Sequence, residues 1–330
     1  MESSIILPVP HISVVLCTFN GGRFLREQLD SIARQSRLPS ELVVCDDRSS
    51  DNTIAILKGF AAEASFPVRI IENQQRLGST RNFDKAIGLA SGDFIALCDQ
   101  DDRWAPGKLE RLSDFLIGDS FIGGVFSDAN LIDDSSRPIG VRLFAKHKFS
   151  FWKQQKFLHN PLSILLKHDV VTGCTLMFRA SLRTHCLPIP GSWVHDGWLT
   201  WMIALQSKMV LTTEALTYYR IHASQQLGVD ASRGRLARNP GAETRRQHYA
   251  RVAKQFEDLL NHLLEHGWKE QSDLVRKFRE KIAFLNRQSA LSPTLALRLP
   301  QMIGLLPQYI QFARGLGSLR DDLLLGRELL

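Results

Sequence analysis

Three polar clusters, each directly after a short apolar run, most constrain what this chain can fold into. The apolar runs are Ile12–Cys17, Leu42–Cys45 and Phe94–Cys98, the last within a predicted strand Asp93–Cys98, and the polar clusters are residues 18–22 (TFNGG), 46–51 (DDRSSD) and 99–102 (DQDD). The carboxyl ends of parallel strands lie at one edge of a sheet, where such folds bind their ligands. The three clusters are therefore expected to meet at one edge.

Strand-like and helix-like stretches alternate along the first half of the chain, which predicts an α/β fold with a mostly parallel central sheet and flanking helices. The further predicted strands are Val68–Ile71, Gly123–Phe126, Val170–Phe178 and Leu216–Ile221. The predicted helices are Phe24–Ala33, Thr53–Ala62, Ser79–Leu89, Lys108–Leu116 and the run Trp193–Ala204. Ser50, Asp51 or Asn52 can cap the second helix, and Ser79 can cap the third.

Charge divides the 330-residue chain into two parts. Lys and Arg number 41 and Asp and Glu 34, a net charge of +7. Residues 232–330 hold 17 basic and 10 acidic residues, which accounts for all of it, because 24 of each remain before them. This predicts a domain over 1–231 and a basic, helical extension over 232–330, with helices near Glu243–His266 and Ser272–Asn286. Arg142–Phe157 is a separate basic and aromatic stretch.

Several classes of protein are disfavoured. The five cysteines are odd in number and form no CxxC pair, which argues against a zinc site or a disulfide framework and favours buried thiols in a reducing compartment. Met1–His11 has no basic region and does not resemble a signal peptide. The sequence has no obvious uncharged apolar window of about 18 residues, so a membrane-spanning helix is not expected.

Asp99, Asp101 and Asp102 carry the densest chemical signal. Carboxylates at a strand end can converge on Mg²⁺ or Mn²⁺, which need few protein ligands when a substrate phosphate completes the site. The alternative is a solvated acidic turn, but clustered like charges after a buried strand are costly without a counterion.

The other candidate residues each have a structural alternative. Asp47 can accept the ring N–H of a pyrimidine base, or Asp46 and Asp47 can serve a turn. Arg81, near a helix start, can meet a phosphate or lie on a plain surface loop. Asp196, in an aromatic setting, can have a raised pKa and act as a general base, or cap a helix beside His195. A lone histidine such as His222 is more often structural than a ligand.

Taken together, these segments resemble glycosyltransferase family two. The resemblance is carried by Thr18-Phe19-Asn20-Gly21, by residues 27–32, 35–36, 46–51, 73–78 and 91–110, by His195-Asp196 before Trp198, and by Tyr219-Arg220-x-His222. It covers roughly residues 12–225 and is nearest to the bacterial polysaccharide group that includes rhamnosyltransferases.

The resemblance implies a GT-A fold and an inverting transfer from a nucleotide-diphosphate sugar, with Mn²⁺ or Mg²⁺ as cofactor. A dTDP- or UDP-sugar is expected, with dTDP-rhamnose as the leaning. The implied donor-nucleotide residues are Thr18, Phe19, Asn20, Asp47, Arg81 and Asp99. The implied metal ligands are Asp101 and His222, the implied base is Asp196, and the implied supporting residues are Asp46, Asp102 and His195.

Two positions depart from the family pattern. Phe19 stands where Tyr is common, which removes a hydroxyl and keeps a ring for stacking. Arg48 stands where Gly is common, so the turn there is expected to differ.

Two rival functions remain open. A sugar-nucleotide nucleotidyltransferase would more naturally carry a Gly-rich, basic loop after the first strand than TFNGGR. A non-catalytic binding module on the same fold would not need Asp99, Asp101 or Asp196. No nucleic-acid partner is expected, because no RNA-binding motif appears.

The resemblance also suggests where the protein works. A glycan or lipid-linked acceptor is expected, in the synthesis of O-antigen, capsule or exopolysaccharide. We therefore expect a cytoplasmic protein, peripheral on the inner face of the membrane through its basic C-terminal segment.

Overall fold

A computed structural model of the chain describes residues 10–222, 244–313 and 315–323. Residues 10–162 and 170–222 form one compact unit, and residues 163–169 together with the described part of 244–323 form a second. The expected domain boundary at 231/232 and most of the stretch Met1–His11 lie outside the described residues.

The first unit is built on a nine-stranded sheet. Its strands follow the order β3-β2-β1-β4-β8-β6-β9-β5, with β7 paired to β6. The strands are β1 (Ile12–Thr18), β2 (Glu41–Asp46), β3 (Val68–Glu72), β4 (Phe94–Asp99), β5 (Arg103–Trp104), β6 (Ile122–Ile132), β7 (Pro138–Arg142), β8 (Leu176–Arg179) and β9 (Lys208–Arg220).

The parallel half of the sheet brings the polar clusters together, as predicted. β1 lies between β2 and β4 and is parallel to both, and its end pairs Thr18 with Asp46 and Cys17 with Asp99. The apolar runs of these strands are almost entirely buried, as expected for a sheet covered on both faces. The residues after β1, β2 and β4 therefore emerge side by side.

The other half of the sheet makes the whole sheet mixed. β8 pairs antiparallel with both β4 and β6, and β9 runs parallel to β6 but antiparallel to β5. The predicted strand Val170–Phe178 is wrong over most of its length, because a 3₁₀ turn occupies Gly173–Thr175 and the strand begins only at Leu176. β6 and β9 are longer than predicted since they pair along most of their lengths.

Helices cover the sheet of the first unit and largely match the predicted spans. They are α1 (Leu25–Ala33), α2 (Thr53–Glu63), α3 (Ser79–Leu89), α4 (Lys108–Gly118), α5 (Leu143–Lys146), α6 (Phe151–His159), α7 (Pro161–Leu165, shared with the second unit), α8 (Arg183–Cys186) and α9 (His195–Gln206). Asn52 is the N-cap of α2 and makes no side-chain capping bond, while the preceding Asp51 accepts the Thr53 N–H at 3.0 Å. The predicted Ser79 cap is wrong, because the N-cap of α3 is Gly78, which has no side chain to accept a capping bond.

The second unit is helical. Its helices are α10 (Arg245–Glu265), α11 (Asp273–Ser289), α12 (Leu295–Ile303), α13 (Leu306–Phe312) and α14 (Leu316–Leu323). Buried Asp322 ties three of them to α14 by accepting bonds from Tyr249 (2.6 Å), Gln288 (2.9 Å) and Tyr309. Pro300 lies within α12 rather than ending it.

Two general expectations can be compared with the described residues. All five cysteines are free. Within the described ranges, no helix combines the length and apolar character needed to cross a bilayer.

Glu41, at the start of β2, supplies a test of how the sheet is held together. Its carboxylate is 6% exposed and accepts bonds from Ser13 Oγ (2.6 Å) and from the Ser91 N–H and Oγ, and it pairs with Arg69 at 3.2 Å. Burial alone would raise the pKa of Glu41, but these donors outweigh burial and lower it. The ionised form is therefore the one that stabilises the fold.

We predict that Glu41→Gln lowers the free energy of unfolding at pH 7 by about 1–3 kcal/mol, as expected for lost bonds to a charged group. Because the folded-state pKa is depressed, this contribution is present above the unfolded value of about 4.3 and is lost as pH falls through the folded value. Urea denaturation of both proteins at neutral and acidic pH measures it, with exposed Glu63→Gln as the control. An equal deficit at both pH values would contradict this account.

Candidate active site

The corner between β1 and β2 is closed by side chains of the first two polar clusters. Thr18 Oγ1 donates to Asp46 at 2.8 Å, and Asp46 also accepts the Ser49 N–H and hydroxyl at 2.8 and 2.6 Å. Asn20 accepts the Ser50 N–H at 2.8 Å. Asp46 is 1% exposed, so its carboxylate holds this turn together.

Arg48 adopts the left-handed conformation that the turn requires. Its φ is +63°, so an arginine occupies a backbone region in which glycine carries no steric penalty. The expected difference from the family's turn at this position stays a prediction.

Asp47 orders the loop that leads into α3. Its carboxylate accepts the N–H groups of Leu77 (2.6 Å) and Gly78 (2.8 Å) and the side-chain amide of Asn73 (3.1 Å). Its predicted pairing with a base stays a prediction. Arg81 lies exposed in the first turn of α3, which this loop places beside Asp47.

Phe19 is held from both its backbone and its ring. Gln100 accepts the Phe19 N–H at 2.9 Å and donates to the Phe19 carbonyl at 3.1 Å. A Cβ on Gly21 would lie 2.2 Å from Gln100 Oε1, so the glycine makes room for this bridge. The Arg76 guanidinium stacks 3.9 Å from the Phe19 ring centroid, which places a cation at the predicted nucleotide pocket.

The acidic cluster at the end of β4 is strongly destabilised in its ionised form. Burial raises the pKa of Asp99 well above its usual value, and the charges of Asp102, Asp101 and Asp196 raise it further. Burial and Asp101 also raise the pKa of Asp102. Oδ2 of Asp102 accepts no hydrogen bond in the described part of the chain. Because the charge of Asp196 raises the pKa of Asp99, these two carboxylates lie close enough for their charges to interact.

The two predicted metal ligands meet in the structure. His222 Nε2 lies 2.9 Å from Asp101 Oδ2, although 121 residues separate them in the sequence. The His222 ring packs against Phe24 with centroids 4.9 Å apart, and its side chain is 7% exposed.

Arg220 is a central residue that the sequence interpretation did not single out. It is fully buried, and its guanidinium donates to Glu27 Oε2 at 2.6 Å and to the Asp101 carbonyl at 2.6 Å. Its backbone N–H donates to Asp102 Oδ1 at 2.9 Å. It thus fixes the backbone and side chain of the acidic cluster relative to α1. The sequence signal that could have identified Arg220 is an arginine at a strand end, close to the suspected metal ligand His222.

Lys108 is a second buried cation that the sequence did not reveal. Its ammonium donates to Thr217 Oγ1 at 2.8 Å and to the Cys174 carbonyl, and lies 4.0 Å from the Trp104 ring centroid. Burial lowers the pKa of Lys108 to about 8, opposed by charges that include Asp102 and Asp99. It is therefore still mostly protonated at pH 7 and offsets the acidic cluster.

Asp196 lies at the start of α9, opposite the acidic cluster. Its Oδ2 accepts the Gly173 N–H at 3.2 Å and its Oδ1 the Gly197 N–H at 2.7 Å, while Val194 is the N-cap of the helix. The neighbouring His195 ring stacks on Phe83 with centroids 3.8 Å apart. Burial lowers the pKa of His195, so its imidazole is neutral at pH 7.

The donor set at this edge fits a hard divalent cation. Asp99, Asp102 and Cys174 present ligand atoms within 4.8 Å of one another, next to the Asp101–His222 pair. Burial raises the pKa of Cys174 well above its usual value, so this sulfur is a thiol and not the thiolate that soft metals select. Carboxylate oxygens with one imidazole suit Mn²⁺ or Mg²⁺, and the Asp102 Oδ2 without a donor is an acceptor that a cation can satisfy.

A family model described as glycosyl transferase family 2 matches residues 13–186, just over half of the chain. The chain belongs to this family. The matched span holds all three polar clusters and ends before Asp196 and His222, which the fold brings to the same edge.

Relatives of this family member include EpsE of Bacillus subtilis, 36% identical over 32% of this chain and 38% of that protein. A glycosyltransferase from Nostoc is 27% identical over 64% of this chain and 65% of the relative. The matches thus span less than two thirds of either relative. TuaG of Bacillus subtilis, named for teichuronic acid biosynthesis, is 23% identical over 64% of this chain and 79% of its own length.

Solved structures confirm the GT-A fold of this family member. Residues 1–349 of TarS from S. aureus with UDP-GlcNAc superpose with a TM-score of 0.56 and 18% identity, over 91% of this chain and 81% of that one. The mannosyltransferase PcManGT from Pyrobaculum calidifontis, with GDP-Man and Mn²⁺, gives 0.53 and 17%, over 90% and 75%.

Gly173 gives a test of how Asp196 is positioned. A Cβ there would lie 2.7 Å from His195 Nε2 and 3.5 Å from Asp196 Cβ. We predict that Gly173→Ala lowers the turnover number more than tenfold while the KM for the donor changes little, because the alanine displaces the start of α9. Gly191→Ala, which meets no atom within 4 Å, is the control. Unchanged turnover in Gly173→Ala would contradict this placement.

Proposed function

We propose that the chain is a metal-dependent, inverting glycosyltransferase that moves a sugar from a nucleotide-diphosphate donor to a hydroxyl of a glycan or lipid-linked acceptor. The observation that carries the proposal is the meeting of Asp101 and His222 at 2.9 Å, on the edge where Thr18 and Asp46 pair and near which Asp196 lies. The candidate metal ligands, the candidate nucleotide-binding residues and the candidate general base lie far apart in the sequence and thus come together at one edge of the sheet.

The proposed donor is a dTDP- or UDP-sugar, and dTDP-rhamnose is the first to test. Phe19 and Arg76 form a stacked pair where the base is expected, and Asp47 lies beside the loop that leads to Arg81. The TarS structure contains UDP-GlcNAc and the PcManGT structure GDP-Man, which supports a nucleotide-sugar donor of this general kind.

In this proposal Asp101 and His222 would hold Mn²⁺ or Mg²⁺, and Asp99 and Asp102 would support the site. A bound cation supplies positive charge beside the diphosphate of the donor. Lys108 adds positive charge to the same region, since it is buried within reach of the acidic cluster.

Asp196 acts as the general base. Its carboxylate is held by the N–H groups of Gly173 and Gly197, which orient it without a competing cation in these bonds. It takes the proton of the acceptor hydroxyl as the oxygen forms its bond to the anomeric carbon. The bond from that carbon to the diphosphate breaks on the opposite face, which inverts the configuration.

The proposed setting is cell-surface polysaccharide synthesis at the inner face of the membrane. TuaG, a relative named for teichuronic acid biosynthesis, supports this setting. The second unit offers a contact surface there, because α12 and α13 expose Leu297 (64%), Ile303 (65%) and Ile310 (70%). Large exposed aliphatic side chains on helices favour a membrane interface.

We predict that Asp196→Asn reduces sugar transfer by about 10²–10⁴-fold, the usual contribution of a general base, and leaves donor affinity nearly unchanged. Release of UDP or dTDP from a panel of their sugars, with lipid-linked oligosaccharide extract as acceptor, measures transfer. Calorimetry with the same donors measures affinity.

The control is Asp114→Asn, an exposed aspartate on α4. Loss of donor affinity together with transfer would argue against a pure base role for Asp196. Release of pyrophosphate from a sugar phosphate and a nucleoside triphosphate would instead indicate a nucleotidyltransferase.

A further inference from the structure

Residues 142–157, at the end of β7 and through α5 and α6, form a basic–aromatic segment that the proposed chemistry does not use. The segment holds five Lys or Arg residues and no Asp or Glu. Two adjacent aromatic side chains protrude from it: Phe151 is 61% exposed and Trp152 is 79% exposed. Their rings form an edge-on pair with centroids 5.5 Å apart.

The protruding pair stands on a packed base. Phe144, Phe149 and Phe157 are buried and each packs against Phe126, and Phe149 also packs against the other two, with centroid separations of 5.2 to 6.4 Å. The backbone is fixed as well, since the Gln154 amide donates to the Phe149 carbonyl at 2.7 Å. The exposed aromatic surface is therefore presented by an ordered element, which marks it as an interaction surface.

The charge around the pair selects an anionic partner. Lys148 and Lys156 are exposed and have no carboxylate partner among the residues that the structure describes. Arg142 differs, because it pairs with Asp128 at 3.0 Å. Amphipathic aromatic rings flanked by lysines are typical of protein surfaces that bind the headgroup region of anionic bilayers.

The segment also lies beside the candidate base. His147 Nε2 is 3.4 Å from Thr172 Oγ1, and the next residue, Gly173, donates its N–H to Asp196. A surface that docks through residues 148–156 would therefore lie on the side of the unit where Asp196 is held.

We propose that residues 142–157 dock the protein on an anionic phospholipid bilayer, with Phe151 and Trp152 among the headgroups and Lys148 and Lys156 against lipid phosphates. The docking rests on this surface alone. The role of this docking, which is to present Asp196 to an acceptor anchored in the same bilayer, rests on the proposed function.

Vesicle flotation of the full chain tests the docking. Phosphatidylcholine vesicles with and without phosphatidylglycerol are compared. We expect flotation only with the anionic vesicles and a loss of at least tenfold in partitioning for the double variant Phe151→Ser/Trp152→Ser. Lys148→Gln and Lys156→Gln should each cost about fivefold, the equivalent of about 1 kcal/mol per lysine near an anionic surface.

Phe121→Ser is the matched control, because Phe121 is also 79% exposed and lies outside residues 142–157. The backbone N–H of Phe121 is bonded to the Asp119 carboxylate. This control variant should float like the unaltered chain. Thermal melting and nucleotide calorimetry of the double variant show whether it is folded and whether its donor site is intact, so failure of docking and failure of the proposed function are read separately.

Four outcomes would overturn the proposal. The first is that the unaltered chain does not float, and the second is that the double variant floats as well as the unaltered chain. The third is that the chain binds dextran sulfate without partitioning to vesicles. The fourth is that flotation is lost only in a variant with Leu297, Ile303 and Ile310 changed to serine. The third would indicate a site for a soluble polyanion. The last would assign membrane contact to the second unit alone.

Discussion

The burial of carboxylates at the end of β4 is the constraint on which the rest of the site depends. Ionised groups removed from water are costly unless paired, and removing one partner of a buried pair typically costs about 3–5 kcal/mol. Asp99 and Asp102 are surrounded by further acids that raise their pKa values. Lys108 from α4 supplies an opposing charge, and the backbone N–H of Arg220 in β9 donates to Asp102. Side chains of α4 and backbone groups of β9 therefore face the acids at the end of β4.

The same constraint explains which parts of the structure the sequence predicted. Apolar runs ending in Asp or Thr located β1, β2 and β4, and parallel pairing placed their ends together. The sequence placed Lys108 at the start of a predicted helix, and only the tertiary fold shows that it is buried. The apolar run from Val170 misled because apolar residues in a buried 3₁₀ turn and in a strand have the same composition. The Arg220 network joins residues up to 193 positions apart and has no local pattern.

Two kinds of surface surround this chemistry. The edge of the first unit combines buried acids, buried cations and the helix start that carries Asp196, which suits a charged donor and a neutral hydroxyl acceptor. The basic–aromatic segment of the same unit is exposed and lacks acids, which suits an anionic, amphipathic partner. In this account, recognition of the acceptor's location and activation of its hydroxyl are handled by neighbouring parts of one unit, while the second unit adds its own apolar face on α12 and α13.

The most direct measurement is calorimetric titration of the full chain with UDP and with dTDP, each with and without Mn²⁺. It is repeated on Asp101→Ala and on Asp114→Ala, an exposed control. The account predicts that at least one nucleotide binds only when Mn²⁺ is present, that Asp101→Ala abolishes this binding, and that Asp114→Ala retains it. Binding that is independent of Mn²⁺, or unchanged in Asp101→Ala, would contradict the claim that Asp101 and His222 form the metal–nucleotide site.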